Sequence, residues 1–370
     1  MPSILENEPL KPHTTFKIGG PARYFATVAN PHDLRDAAAF ASSRRIPLFV
    51  LGGGSNLLIS DAGLDALVVH PVSRGITVRD RDQRDGSILL RTAAGESWDG
   101  VVAHAVGQGW RGVENLSHIP GQAGAALVQN IGAYGQQLSD VLESAEVAAL
   151  DTGAVRVVEA RECGLGYRRS IFNTSDKNQR LILAITLRLA ENAPSNLSYP
   201  DLRRWFGERG VSEPSIAEVR EAIIAIRDRK FPYPREEKGG NAGSFFKNLS
   251  LHPGEYESLE PRINHEFGAA ARERLREIRA RSTGAGSIRI PTAFLIELCG
   301  LKGCREGGAE INETQPLVIL NQGGATARDV LTLAQRVRRA LFARTAMRVE
   351  IEPELAGFTP TELSQYLAFD

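Results

Sequence analysis

The chain has 370 residues, about two and a half common domain lengths, and 42% are hydrophobic, which predicts a globular protein of two or three domains. It carries 44 basic and 44 acidic residues, and this balance argues against a general nucleic-acid binder and against a polybasic membrane anchor. No stretch approaches the ~20 apolar residues of a membrane helix, and the polar N-terminus lacks the apolar core of a secretory signal. Three cysteines without CxxC spacing exclude a disulfide scaffold and suit a reducing cytoplasm.

Alternating helices and strands are predicted along the chain. Pro31 and Asp33 favour a helix that runs to residue 44, and the capping box at Ser215 opens another that ends before Pro232. Further helices are predicted at 98–106, 269–281 and 326–343. Strands are predicted at 47–51, 57–60, 66–70, 88–93, 145–150, 155–159, 181–189 and 347–351. The charged, Pro- and Gly-rich segment 231–240 is a candidate interdomain linker.

Two glycine-rich segments are the first candidates for function. Gly52, Gly53 and Gly54, followed by Ser55 and Asn56, come directly after a predicted strand. Consecutive glycines let backbone amides approach an anion such as the pyrophosphate of a nucleotide cofactor, although a plain tight turn is an equal alternative. The pattern is neither the dinucleotide-binding fingerprint nor a P-loop.

The second segment, 119–135, begins Ile-Pro-Gly-Gln-Ala-Gly and is predicted to be another loop that passes close to a ligand. Close packing of a helix on a sheet is the alternative interpretation of its small residues. Two such segments about 65 residues apart favour a dinucleotide held by both.

The segment 241–248 places the Ser244 hydroxyl beside two phenylalanines, a lysine and an asparagine, which is typical of a proton donor or a ligand contact in a dry site. The alternative is a core strand that enters a turn. No histidine pair has metal-ligand spacing, so we expect no metal.

Seven motifs occur in the order of a known family. They are HTTFKIGGPA, LGGGSNLL, VENLSHIPGQAGAALVQNIGAYG, GYRRSIF, GNAGSFFKN, LKG and IEPE, and they extend from about residue 10 to residue 355. In this order they resemble the UDP-N-acetylenolpyruvoylglucosamine reductases, flavoenzymes that make UDP-N-acetylmuramate for bacterial peptidoglycan. Tyr199, within LSYPDL, is similar to the tyrosine loop of the longer members.

The resemblance implies an α+β fold of three domains. The first two, at 1–75 and 76–230, would form a vanillyl-alcohol-oxidase-type (PCMH-type) FAD-binding fold, with the C-terminal segment 347–370 returning to the first. The third, at 231–346, would be an α+β substrate-binding domain. FAD would be bound non-covalently and NADPH would be the co-substrate. We expect a cytoplasmic monomer or weak dimer whose partners are NADPH and the sugar nucleotide, with no nucleic acid or membrane partner.

The resemblance also assigns roles to residues. Ser244 matches the proton donor, and Arg168 and Glu354 match the pair that polarises the enolpyruvyl carboxylate. Tyr199, Lys230 and Asn248 match contacts to the substrate or the nicotinamide nucleotide. The expected cofactor contacts lie in the glycine-rich segments and are Gly52, Gly53, Gly54, Ser55, Asn56, Ser117, Ile119, Pro120, Gly121, Gly124, Asn130, Gly132 and Tyr134.

Two rival functions are weighed against this one. A flavin oxidase of the same fold often tethers FAD through a histidine or cysteine near the first glycine-rich loop, and that loop contains neither. A non-enzymatic nucleotide-binding protein would leave Arg168, Ser244 and Glu354 without a reason to occur together.

Overall fold

The computed structural model describes residues 2–282 and 287–368, which form two compact units. The first unit contains residues 2–9, 21–54 and 64–229, and the second contains residues 10–20, 55–63 and the described part of 230–370. Residues 283–286 of the predicted third domain, and residues 369–370 of the predicted returning tail, lie outside the described residues.

Helices occur together with mostly antiparallel sheets, and the α+β fold class is confirmed. The strands are β1 (Ile4–Pro9), β2 (Pro21–Val28), β3 (Leu48–Val50), β4 (Leu57–Ile59), β5 (Leu64–Pro71), β6 (Ile76–Asp82), β7 (Ser87–Ala93), β8 (Gly132–Ala133), β9 (Gln136–Gln137), β10 (Leu142–Ala149), β11 (Val155–Glu159), β12 (Arg180–Ala190), β13 (Leu249–Leu251), β14 (Ile288–Ile290), β15 (Arg305–Glu306), β16 (Ala309–Ile311), β17 (Ile319–Asn321) and β18 (Glu354–Ala356).

The helices are α1 (Pro31–Arg44), α2 (Trp98–Gly107), α3 (Ala123–Val128), α4 (Pro200–Gly207), α5 (Ile216–Lys230), α6 (Pro253–Phe267), α7 (Ala269–Ala280), α8 (Thr292–Leu298), α9 (Ala327–Thr345) and α10 (Pro360–Leu367). Short 3₁₀ turns lie at Lys11–His13, Glu114–Leu116, Leu138–Asp140, Ala160–Glu162 and Ile171–Asn173.

The first unit contains two sheets. The smaller has the order β1-β2-β5-β3, with β1 antiparallel to β2 and the other pairs parallel. Helix α1 covers it, because Leu34, Ala37 and Ala41 recur on one helix face and are buried against the sheet. The predicted start of α1 is confirmed, since the side chain of Asn30 accepts hydrogen bonds from the amides of His32 and Asp33.

The larger sheet of the first unit is antiparallel throughout, in the order β11-β10-β12-β7-β6. Helices α2 and α3 pack on it and share its apolar core. The Trp98 side chain is buried there, and its indole N–H donates to the carbonyl of Leu116 at 3.0 Å. This bond ties the start of α2 to the segment that leads into the second glycine-rich region.

The second unit is built on helices α6 to α9, with the small sheets β13-β14, β15-β16-β17 and β4-β18. The predicted helix near 326–343 is confirmed as α9, and Thr326 caps it through the amide of Asp329. The side chain of Asp61 accepts from the amides of Ala327 and Arg328, so the segment 55–63 is anchored to the start of α9.

The division into three domains stays a prediction. Most of the two segments expected to bind FAD lie in the first unit, and the second unit takes up the chain again at Lys230. The C-terminal segment lies in the second unit, where β18 pairs in parallel with β4.

Two predicted elements are wrong. Residues 347–351 do not form a strand: the Arg338 side chain occupies the carbonyl of Val349, and the pairing with residues 245–247 is limited to a single bridge between Ile351 and Phe246. The predicted loop at 119–135 contains the helix α3. A Cβ on Gly124 would lie 2.7 Å from the Cβ of Ala94, so close helix–sheet packing, the alternative interpretation, explains this glycine.

Candidate active site

The two glycine-rich segments meet within the first unit. A Cβ on Gly53 would lie 2.6 Å from the Cα of Gly121 and 2.9 Å from the nitrogen of Gln122. A Cβ on Gly52 would lie 2.9 Å from the Cβ of Ala125. The first segment can approach the second this closely only because positions 52 and 53 lack a side chain.

Unpaired backbone donors gather where these segments meet. Within residues 2–282 and 287–368, the amides of Gly52, Gly53, Ile119, Gly121 and Gln122 make no hydrogen bond. The buried Oε1 of Gln122 likewise has no donor among the described residues, whereas its Nε2 donates to the carbonyl of Pro71 at 3.0 Å. Clustered amides bind anions, and an unsatisfied buried acceptor fits a ligand hydroxyl or N–H.

The amides therefore fit the pyrophosphate of FAD, and the Gln122 acceptor fits a hydroxyl or ring N–H of the same molecule. Sequence reasoning missed Gln122, because a single glutamine in a glycine-rich segment carries no signal of its own. The hydroxyl of Ser117, an expected cofactor contact, is buried and donates to the carbonyl of Glu114 at 2.6 Å.

Two other expected cofactor residues lie beside Arg168. The side chain of Asn130 donates to the carbonyl of Gly166 at 3.0 Å and accepts from the amide of Ser139. Both terminal nitrogens of Arg168 lie 3.4 Å from the carbonyl of Gly132. Asn130 and Arg168 adopt positive φ angles of 45° and 54°, a conformation that costs free energy and is concentrated at functional sites.

Tyr199 stands at the start of α4 and contacts Tyr134, another expected cofactor residue. The two ring centroids are 5.1 Å apart with planes inclined at 71°, an edge-to-face pair. Tyr134 is buried in an apolar cluster with Leu202 and Ile223, and this burial raises the pKa of its hydroxyl, while the positive charge of Arg227 opposes the rise. The Tyr134 hydroxyl therefore stays protonated at neutral pH.

Ser244 lies in the second unit on a segment held at both sides. The amide of Phe245 donates to the carbonyl of Leu317 at 2.6 Å, and its carbonyl accepts from the amide of Glu352. Phe245 and Phe246 are buried, with ring centroids 5.4 Å apart. The half-buried Ser244 hydroxyl has no hydrogen-bond partner in the described chain, so it can donate to a ligand.

Expected site residues of the second unit also serve the fold. The Oδ1 of Asn248 accepts from the amide of Thr292 at 3.2 Å and so holds the start of α8. The carbonyl of Lys230 accepts from the side chain of Asn312 at 3.1 Å.

Glu354 and Asn56 are joined through their backbones. The amide of Glu354 donates to the carbonyl of Asn56 at 3.0 Å, and the Asn56 side chain lies 3.4 Å from the carbonyl of Glu352. Ser55 precedes this contact and belongs to the same unit. The end of the first glycine-rich loop therefore fixes where Glu354 stands.

Asn241 was missed as a positioning residue. It is almost fully buried, and its side chain donates to the carbonyls of Pro232 and Gly239 and accepts from the amide of Gly243. The Thr15 hydroxyl donates to the carbonyl of Asn241, and the Thr15 carbonyl accepts from the amide of Asn241. Two of the quoted motifs, HTTFKIGG and GNAGSFF, thus form one hydrogen-bonded structure, which their separation of more than 220 residues conceals in the sequence.

The described residues contain no helix long and apolar enough to cross a membrane, and no group of three or more His, Cys, Asp or Glu side chains able to hold a metal ion.

Comparison with known proteins gives a consistent result. Residues 22–159 match an FAD-binding domain family, and residues 234–356 match the C-terminal domain family of UDP-N-acetylenolpyruvoylglucosamine reductase. The chain is 37% identical to the UDP-N-acetylenolpyruvoylglucosamine reductase of Pseudomonas putida, over 95% of this chain and 98% of that protein. It is 35% identical to the enzyme of that name from Neisseria gonorrhoeae, over 96% and 97% of the two chains.

A solved structure is also similar. The crystal structure of UDP-N-acetylenolpyruvylglucosamine reductase from Thermus caldophilus matches with a TM-score of 0.64 at 25% identity. The match covers 96% of this chain and 99% of that chain. The similarity therefore extends over both compact units.

Proposed function

Since this chain belongs to the UDP-N-acetylenolpyruvoylglucosamine reductase family, we propose that it reduces UDP-N-acetylglucosamine enolpyruvate to UDP-N-acetylmuramate with NADPH and FAD, in peptidoglycan precursor synthesis. The observation that carries the proposal is the meeting of two glycine-rich loops, with five unpaired amides, inside the region that matches the FAD-binding family. The proposed cytoplasmic location and the monomeric or weakly dimeric state are tested by cell fractionation and by sedimentation.

The amides of Gly52, Gly53, Ile119, Gly121 and Gln122 would hold the FAD pyrophosphate, and the Oε1 of Gln122 would accept from an FAD hydroxyl or N–H. Non-covalent binding is favoured because Gly52, Gly53 and Gly54, with Ser55 and Asn56, include no histidine or cysteine. The chemistry that bound FAD supplies is uptake of hydride from NADPH and its delivery to the terminal carbon of the enolpyruvyl double bond.

Arg168 would bind the enolpyruvyl carboxylate, on which negative charge develops as hydride reaches the double bond. A guanidinium presents its donors as a planar fork that matches a carboxylate. The positive φ of Arg168, and the hydrogen bond from Asn173 to its carbonyl, fix the backbone from which the side chain extends. Glu354, set by the backbone of Asn56, would assist in polarising the same carboxylate.

Ser244 would give the proton that completes the reduction at the α carbon. Ser244 is half-buried on a segment that is fixed by backbone hydrogen bonds, and the buried Phe245 and Phe246 that follow it would limit access of bulk water. The ammonium of Lys247 is paired with Glu350 at 2.8 Å, so this cation is committed to a carboxylate. Tyr199, Lys230 and Asn248 would contact the substrate or the nicotinamide nucleotide.

The test follows the two half-reactions in an anaerobic stopped-flow instrument. The purified protein should be yellow, lose its flavin colour with NADPH and regain it with the enolpyruvyl sugar nucleotide. Failure of that substrate to restore the colour, together with rapid reoxidation by oxygen, would instead indicate a flavin oxidase. Flavin that stays with the protein after acid precipitation would overturn non-covalent binding.

Ser244→Ala tests the proton donor. Reduction by NADPH should stay near the normal rate, whereas reoxidation by the substrate should slow by ~10²–10⁴-fold, the usual contribution of a general acid. Ser250→Ala, at an exposed serine of β13, is the matched control. Slowing mainly in the NADPH step would make Ser244 a positioning residue and place the proton elsewhere.

A further inference from the structure

His118 immediately precedes the loop that is proposed to hold the FAD pyrophosphate, and it adopts a strained backbone. Its φ angle is +60°, in the left-handed region that non-glycine residues avoid because the Cβ crowds the following carbonyl. The side chain is only 9% exposed. A buried non-glycine residue keeps such a conformation when its surroundings hold it there.

Two carboxylates hold His118 from opposite ends of the residue. Its amide donates to Oδ1 of Asp99 at 2.6 Å. Its ring Nε2 lies 2.8 Å from Oδ1 of Asp228, and because an ionised carboxylate only accepts, Nε2 carries the hydrogen of this bond. Both the backbone and the ring are therefore fixed by charge-assisted hydrogen bonds, which are stronger than neutral ones.

Helix α5 contains one of these carboxylates, Asp228, and holds the other, Asp99, through Arg220. Asp228 lies in its last turn, and Arg220, two turns earlier, donates to both carboxylate oxygens of Asp99, at 2.7 and 2.9 Å. The Asp99 and Arg220 side chains are 21% and 16% exposed, so solvent screens this pair less than a surface pair. One helix thereby fixes the direction in which the chain leaves His118.

We infer that His118 is a positioning residue for FAD: its bonds to Asp228 and Asp99 hold the backbone turn that aims the amides of Ile119, Gly121 and Gln122 at the pyrophosphate. The inference rests on the proposed function, since those amides matter only if FAD binds there. His118 itself needs no contact with FAD. A leucine at this position would keep the bulk and lose the ring hydrogen bond.

The test titrates FAD into apoprotein and follows quenching of flavin fluorescence. His118→Leu and Asp228→Ala should each raise the FAD Kd by about tenfold or more, the range for a hydrogen bond to a charged group. The double variant should be no worse than the worse single variant, because both changes remove the same bond. His118→Gln, whose Nε2 takes the place of the ring Nε2, should recover most of the affinity.

Glu143→Gln is the matched control and should bind FAD normally. It removes one carboxylate from the ion pair with Arg188, which is more exposed than the pair of Asp99 and Arg220. Melting of the apoproteins separates positioning from general stability: the apo Tm should stay near that of the wild type, while the rise in Tm on adding FAD should shrink. Wild-type affinity in both single variants, or additive losses in the double variant, would overturn the inference. An equal fall in apo and holo Tm with unchanged Kd would also overturn it.

His118→Gln and Asp228→Asn retain a donor and an acceptor. If His118→Leu and Asp228→Ala fail to fold, Asp228→Asn decides the question, because its amide oxygen can still accept the ring hydrogen but carries no charge. A raised FAD Kd with an unchanged apo Tm in Asp228→Asn would support the inference, and a wild-type Kd would overturn it. If the wild-type apoprotein itself binds no FAD, the proposed function fails, and this inference fails with it; if the wild type binds and all variants bind alike, the inference alone fails.

Discussion

Replacing Gly53 by alanine should weaken FAD binding while the first unit stays folded. The new Cβ would stand 2.6 Å from the Cα of Gly121 and 2.9 Å from the nitrogen of Gln122, closer than real Cβ atoms approach backbone. To reach the 3.4 Å at which ordinary contact begins, the two loops must separate by about 0.8 Å. Neither obstacle is a flexible side chain, so the backbone itself must move.

The magnitude follows from the cost of overpacking, which is typically ~1–3 kcal/mol. The separation would displace the amides of Gly53 and Gln122 from the pyrophosphate that they are proposed to bind. If FAD binding closed the two loops again, the strain would return. The FAD Kd should therefore rise by about 5- to 150-fold. Gly53→Leu adds a larger side chain at the same point and should give colourless protein.

The assay is FAD titration of the apoprotein, with circular dichroism to verify folding. Gly107→Ala is the matched control, because a Cβ there would meet no heavy atom of another element within 4 Å and the position lies in α2. It should leave the Kd unchanged and add up to ~1 kcal/mol of stability. Folded Gly53→Ala or Gly53→Leu protein with wild-type flavin occupancy would refute the assignment of these loops to FAD.

Three other predictions concern the two units separately. Tyr199→Phe keeps the ring pair with Tyr134 and should mainly raise KM for the sugar nucleotide, by about 2- to 10-fold for one lost hydrogen bond; a loss of kcat as large as that of Ser244→Ala would contradict this role. Burial alone would raise the pKa of Asp99, but hydrogen bonds from Arg220 and the His118 amide hold that pKa below its usual value. The ionised Asp99 therefore stabilises the folded protein above about pH 4, and this contribution is lost as the pH falls through the lowered pKa of the folded state. Arg220→Met should therefore cost about 2 kcal/mol at neutral pH, and denaturant unfolding should show this deficit shrinking below about pH 4; a deficit independent of pH would refute the pairing. Ser244→Ala should spare the NADPH half-reaction and slow substrate-dependent reoxidation, as stopped-flow absorbance will resolve.

Local patterns in the sequence predicted the elements whose formation depends on near neighbours. Helix α1 was predicted from Pro31 and Asp33, and α5 from the capping box at Ser215, because caps and apolar periodicity act within one or two turns. The ordered motifs gave the family and the proposed catalytic residues, since motif order along a chain is visible without coordinates. The run of three glycines likewise made position 53 a candidate for anion binding, with a plain tight turn as the equal alternative.

Tertiary structure decided what depends on partners far along the chain. Residues 347–351 alternate like a strand, yet the Arg338 side chain takes the carbonyl of Val349 and only one bridge forms, at Ile351; no local pattern reveals such a competitor. Gly124 belongs to a helix packed on Ala94, and Gln122 becomes a buried acceptor only where two distant loops meet. The anchoring of His118 likewise depends on α5, more than 100 residues later in the chain. Sequence records each residue's chemistry, but hydrogen-bond partners and steric limits are set by which segments the fold brings into contact.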